Sequence, residues 1–210
     1  MIYSYLSYFI DEQSPQYGGQ DNISINKLGQ ISKGASANST HVAFPNHIGT
    51  HVDFPLHFSE SGMSVNDYSP EFWVFNSVHL SHYTAGEDEI IDESKLNLAV
   101  IPDTTDLLLI RTGFGLYRGQ HKYWRNNPGL SPTLATKLKV RCPNLRAIGF
   151  DFISLSSYQN RELGRLAHKE FLIKNDILII EDMKLMSLGD NRIKTVTALP
   201  LLIRNIDGAP

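Results

Sequence analysis

The chain has almost no cysteine: a single one, Cys142, in 210 residues. No intrachain disulfide can form, which fits a reducing compartment such as the cytoplasm. Long apolar runs are also missing, and none approaches the roughly 20 residues that a membrane helix needs. The opening MIYSYLSYFIDEQ carries no positive charge and meets acid at Asp11, so it does not read as a secretory signal. An excess of one charge is absent as well. Nineteen Lys and Arg face 22 Asp and Glu, for a net charge of -3, and there is no long basic run. That argues against nucleic acid as the partner. With no internal repeat and no low-complexity linker, what remains is 41% hydrophobic and 20% charged. Such a composition folds, and its length suits one domain over residues 1–210.

Pattern along the chain predicts more sheet than helix. MIYSYLSYFI reads as a strand, SPQYGGQDN as a turn, and NISINKLGQI and STHVAF as strands. EFWVFNSVHLSHY reads as one strand after a polar loop, and TALPLLIRN as the last strand. DLLLIRTGF, LRAIGFDF and DILIIED are apolar runs of the kind found in strands buried on both faces. A helix is predicted over LSPTLATKLKV, with Ser131 as cap and Pro132 in its first turn. A second helix is predicted over 160–174, with a buried face through Leu163, Leu166 and Phe171 and Asn175 as its end. Together these give an α/β or α+β architecture: a mixed sheet core with a few flanking helices.

Against this ordinary background, HIGTHVDFPLH at 47–57 gathers His47, His51, Asp53 and His57 within eleven positions. Gly49, Thr50, Val52 and Pro55 oppose a helix. In an extended chain side chains alternate faces, so these four odd-numbered residues would point the same way. His51 and Asp53 would then lie about 7 Å apart and reach one ion. His47 would be roughly 13 Å from His51 in a straight chain, so a bend is needed. Gly49 is where a positive φ costs nothing, and Pro55 can turn His57 back. Two imidazoles and a carboxylate suit Zn²⁺ or Mn²⁺, and three protein ligands leave a position for water. An imidazole, whose unperturbed pKa is about 6.5 in general, suits proton transfer, and His57 is the candidate for it. The alternative is a chance spacing of three histidines and one aspartate, each an ordinary hydrogen-bonded core or surface residue with no ion. His41, His79, His82 and His121 have no comparable setting.

HIGTHVDFPLH resembles the HxGTHxDxPxH signature of the metal-dependent cyclase/kynurenine formamidase family. Further blocks resemble that family in order between about residues 41 and 190: LLLIRTGFG, YWRNNPGLSPTLATKLK, AIGFDFISL with Asp151 and Ser154 in a GxDxxS pattern, and AHKEFLIKNDILIIEDMKLMSL. The resemblance implies a swivelling β/β/α fold and a homodimer or larger assembly. It implies one or two Zn²⁺ or Mn²⁺ ions per subunit, held by His47, His51 and Asp53, with Asp53 bridging to a second site completed by His168 and Glu181. His57 would be the acid–base. Asp151 would stand behind the ligands or, alternatively, cap a turn. His168 could equally be a surface helical histidine, and Glu181 a strand-end carboxylate.

The implied activity is amide hydrolysis by metal-activated water, on an aryl formamide such as N-formylkynurenine or a cyclic amide of the isatin type. Phe54, Phe58 and Phe114 are candidates to stack on the substrate ring. Phe114 stands where tryptophan is common in the formamidases, and SPQYGGQDN matches the family's N-terminal loop only loosely. Two rival readings remain: a cyclase or dehydratase acting on a polyketide-like substrate, and a metal-binding protein without turnover.

Overall fold

The computed structural model describes residues 3–19, 23–189 and 193–210. The strands in chain order are β1 Ser24–Gly29, β2 Ser39–Ala43, β3 His51–Asp53, β4 Val74–Phe75, β5 Val78–His82 and β6 Ile90–Ile91. They continue with β7 Leu107–Arg111, β8 Gly129–Leu130, β9 Ala147–Phe150, β10 Leu178–Glu181, β11 Val196–Thr197 and β12 Gly208–Ala209. Three α-helices accompany them: α1 Lys122–Arg125, α2 Pro132–Arg141 and α3 Arg161–Lys169.

Six strands form the main sheet in the order β12-β3-β10-β9-β7-β5. β5, β7, β9 and β10 run parallel, and β3 pairs antiparallel with both β10 and β12. The three apolar runs supply β7, β9 and β10, and Leu107–Ile110, Ala147–Phe150 and Leu178–Glu181 are buried throughout. Parallel strands flanked on both faces need no polar side. The fold is therefore α/β with a mixed sheet and few helices.

Helix α2 starts as its sequence requires. Ser131 Oγ accepts the Thr133 amide at 3.3 Å, and Pro132 occupies the first turn. Helix α3 runs into a π-helical turn over Glu170–Lys174, and Asn175 closes it by donating to the Glu170 carbonyl at 2.8 Å. Its buried face differs from the leucine stripe expected. Leu166 is 57% exposed, while Gly164, Ala167, His168 and Phe171 face inward. The cause is Gly164: a Cβ there would lie 2.0 Å from Ser156 Oγ, so the helix approaches on its glycine side. That rotation carries His168, one turn later, into the interior.

Three expected strands are corrected. Residues 3–10 form no strand, and residues 1–2 lie outside the described residues. The segment is tied down by Tyr8 N donating to Thr50 Oγ1 and Lys184 N to the Leu6 carbonyl, which is too sparse for a ladder. EFWVFNSVHLSHY breaks into a 3₁₀ turn at Pro70–Trp73 followed by β4 and β5. TALPLLIRN keeps only Thr197 in β11, since Pro200 has no N–H to give a ladder. Of the SPQYGGQDN turn, residues 20–22 lie outside the described residues.

Immediately after β10 the chain turns at Asp182, which has φ +48°. Asp182 is fully buried and takes a two-pronged ion pair from Arg118, with Nε and Nη2 contacts of 2.9 and 2.8 Å, plus the Tyr123 hydroxyl at 2.5 Å. Burial pushes its carboxyl above the ordinary range, and Arg118 pulls against that. Arg118→Met would strand this charge, and the expected cost is about 3–5 kcal/mol, the usual effect of removing one partner of a buried pair. Urea unfolding checks it. A loss below about 1 kcal/mol would place the pair with exposed salt bridges instead.

Candidate metal centre

The centre sits where the parallel part of the sheet meets antiparallel β3. Register puts Glu181 of β10 opposite His51, and Gly208 of β12 opposite Asp53. Opposed residues share a face, so β3 presents His51 and Asp53 to the same side as Glu181. Upstream, Gly49 takes φ +58°, and the chain does not run straight from His47 to His51. His47 Nδ1 comes to 2.8 Å from Asp53 Oδ1. Downstream, Pro55 opens a 3₁₀ turn over Pro55–His57 that brings the His57 ring to 4.1 Å, centroid to centroid, from that of His47.

The distal pair arrives from the second half of the chain. His168 Nε2 lies 3.5 Å from Asp53 Oδ2 and 3.6 Å from Glu181 Oε1. His51 Nε2 lies 3.3 Å from Asp53 Oδ1 and 3.5 Å from Glu181 Oε2. Asp53 thus turns one oxygen to His47 and His51 and the other to His168. His51, Asp53, His168 and Glu181 are all buried.

Proton positions follow from partners that can only accept. His51 Nδ1 donates to the Gly49 carbonyl at 2.8 Å, and His168 Nδ1 donates to the Gly164 carbonyl at 2.8 Å. The Nε2 atoms of these two rings are then bare in the neutral form and face carboxylates. His51 Nε2 is buried with no hydrogen-bond partner, a costly arrangement unless something fills the gap. The same carboxylates favour a positive charge on the rings, whether a proton or an ion supplies it. Burial would lower His47, but Asp53 and Asp207 raise it to about 10, and His168 rises to about 9 against its own burial through Asp53 and Glu181. Asp53, despite burial, is held well below the carboxylate range by His47, His168 and His51. Such a set of facing bare nitrogens and carboxylates fits a divalent transition ion in place of protons.

Among the described residues, two sets of ligand-type atoms lie mutually within 4.8 Å: those of His51, Asp53 and Glu181, and those of His47, Asp53 and His57. His57 therefore stands close enough for either a proton-transfer or a ligand role.

Around the centre, some expectations change. Asp151 is not against the ligands; it accepts the Thr112 amide at 2.7 Å and the Gly113 amide at 3.0 Å, holding the turn after β7. Ser154 takes the supporting place instead, donating to Glu181 Oε1 at 3.1 Å beside the Leu155 amide at 2.6 Å. Phe54 and Phe114 are fully buried in the core, where they cannot meet a substrate. Phe58 is half-buried and stacks on the His168 ring at 4.6 Å. Sequence reasoning missed Asp207, whose Oδ2 meets His57 Nδ1 at 2.8 Å and His47 Nε2 at 3.0 Å. Its one local signal is the following glycine: a Cβ at Gly208 would lie 2.4 Å from the His47 ring. Of the remaining histidines, His41 lies on the exposed strand β2.

A family model described as "Putative cyclase" matches residues 5–157. The kynurenine formamidase of Geobacillus thermodenitrificans (strain NG80-2) is 30% identical, over 98% of this chain and 92% of its own length. Among solved structures, isatin hydrolase A from Labrenzia aggregata, bound to benzyl benzoate, is similar with a TM-score of 0.78 at 20% identity, covering 98% of this chain and 89% of its own. A predicted metal-dependent hydrolase from Bacillus stearothermophilus gives 0.72 at 20% identity, covering 98% and 93%. At such identities the structural likeness concerns the fold.

Proposed function

The chain belongs to the cyclase family that includes the kynurenine formamidases, and from that premise we propose that it is a metal-dependent hydrolase of carbon–nitrogen bonds other than peptide bonds. The observation that carries the proposal is the buried, partnerless Nε2 of His51 facing the carboxylates of Asp53 and Glu181. In this reading His47, His51 and Asp53 hold one Zn²⁺ or Mn²⁺, and Asp53, His168 and Glu181 a second. A bound ion of this kind lowers the pKa of water toward neutrality and polarises a carbonyl.

The chain's own residues supply the rest. His57 takes a proton during attack on the amide carbon and returns it to the departing nitrogen, as a positioned imidazole can. Phe58, beside the His168 ring, is placed to flank an aromatic substrate. The favoured substrates are an aryl formamide resembling N-formylkynurenine and a cyclic amide of the isatin type. They are supported by the relatives' activities and by this aromatic wall. We place the whole chain in one domain, working in the cytoplasm as a homodimer or larger assembly. Among the described residues no helix is long and apolar enough to cross a membrane.

Elemental analysis of chelator-free protein is expected to find Zn or Mn at one to two ions per subunit. An aryl formamide, isatin, an aryl ester and a polyketide-like chain, assayed side by side, then separate the activities. Protein that takes up neither metal even when supplied would sink the reading. Turnover of the polyketide alone would replace the hydrolase with a cyclase.

A further inference from the structure

Asp207 lies in the chain just before β12, and three contacts hold this corner, one of them on its carboxylate. The Asp207 carbonyl accepts the Phe54 amide at 3.0 Å, tying it to the residue after β3. Asn46 Nδ2 donates to Asp207 Oδ1 at 2.7 Å and also to the Gly208 carbonyl at 3.2 Å. A carbonyl can only accept, so the Asn46 amide cannot be flipped, and Oδ1 is committed to an N–H. The other oxygen, Oδ2, faces His57 Nδ1 and His47 Nε2 together.

We propose that Asp207 is a positioning residue that sets the tautomers of two histidines at once. By accepting the Nε2 proton of His47 it leaves Nδ1, which faces Asp53, as the nitrogen that a bound ion can take. By accepting the Nδ1 proton of His57 it leaves that ring's Nε2 free to take a proton. One carboxylate oxygen has the two lone pairs this requires. Carboxylates behind ligand histidines orient rings and fix tautomers generally; here one serves both the metal side and the base side of the centre. The proposal rests on the metal-hydrolase reading for its effect on turnover, but not for its hydrogen bonds.

The arrangement makes an unusual demand on variants. In Asp207→Asn, Asn46 would hold the new amide oxygen on the Oδ1 side, and the NH₂ would face both rings. Each ring would have to accept there, moving the His57 proton to Nε2 and the His47 proton to Nδ1, the two atoms that must stay bare. In Asp207→Ala, water can enter the half-exposed gap and accept from both rings. The isosteric change should therefore harm more than the truncation, which a packing role would not produce.

The test is ¹⁵N NMR of the histidine rings in metal-free and zinc-loaded protein, with zinc affinity and kcat on an aryl formamide. Expected are a protonated Nδ1 on His57 in the parent and a protonated Nε2 in Asp207→Asn. Zinc affinity should fall about 10–100-fold in the asparagine variant, and kcat about 10²–10⁴-fold, with only about a tenfold loss of kcat in Asp207→Ala. A parent His57 protonated at Nε2, or an alanine variant hit harder than the asparagine one, overturns the proposal. If the parent takes up no zinc, the metal reading fails by itself, and the His57 tautomer in the metal-free protein still decides the role of Asp207.

Discussion

Asp53→Asn is expected to be isolated without bound Zn or Mn and to turn over an aryl formamide no faster than parent protein stripped by a chelator. Asp53 turns Oδ1 to His47 and His51 and Oδ2 to His168. Like Glu181 it faces both halves of the centre, and it alone of the two also meets His47. Asparagine keeps the shape but replaces one oxygen with an NH₂ directed at bare ring nitrogens, where it would bond as a donor and close the gap to a cation. It also removes the charge that offsets a divalent ion in a buried place. The measurement is elemental analysis alongside turnover, with circular dichroism to verify the fold. An Asp53→Asn protein that retains a full complement of ion would show that the centre does not depend on a bridging carboxylate.

The second large effect is of another kind. His57→Asn should keep nearly its full metal content while kcat falls roughly 10²–10⁴-fold, the usual contribution of a positioned acid–base. His51→Asn should lose ion and turnover together. The distinction matters because the His57 ligand-type atom lies within 4.8 Å of those of His47 and Asp53. What separates it from His51 and His168 is exposure and anchoring. The His57 side chain is 31% exposed, against 5% for His51 and 4% for His168. Its Nδ1 is tied to Asp207, a carboxylate outside the set that surrounds the gap. If His57→Asn loses the ion as completely as His51→Asn, then His57 is a ligand and the proton transfer belongs to another group.

How much of this could be read from sequence depended on distance along the chain. His47, His51, Asp53 and His57 were legible because strand parity, Gly49 and Pro55 together specify a shape within eleven residues. Buried strands β7, β9 and β10 were legible as unbroken apolar runs. His168 and Glu181 came only through resemblance. No periodicity links residues of α3 and β10 to β3, and a buried histidine counts as polar in any hydrophobic pattern. That same blindness put Leu166 on the wrong side of α3, where Gly164 sets the approach. The opening MIYSYLSYFI has strand composition, yet its residues 3–10 find no partner strand among the described residues, and pairing is a property of the fold rather than of the segment. Asp207 carried no signal beyond a glycine neighbour, because its meaning lies in β12 reaching β3.

The spread of the centre over β3, α3, β10 and the residue before β12 has a kinetic consequence. Loop-closure entropy makes contacts between such distant segments late to form. An ion needing all of them recognises the finished molecule, not the partly ordered ensemble at the folding barrier. Saturation at about 1,000 times Kd would add about 4 kcal/mol of apparent stability. That gain would fall on the unfolding rate, with refolding scarcely faster. The ion would thus act as a latch on a door that has already closed, prolonging the native lifetime without guiding the chain to it.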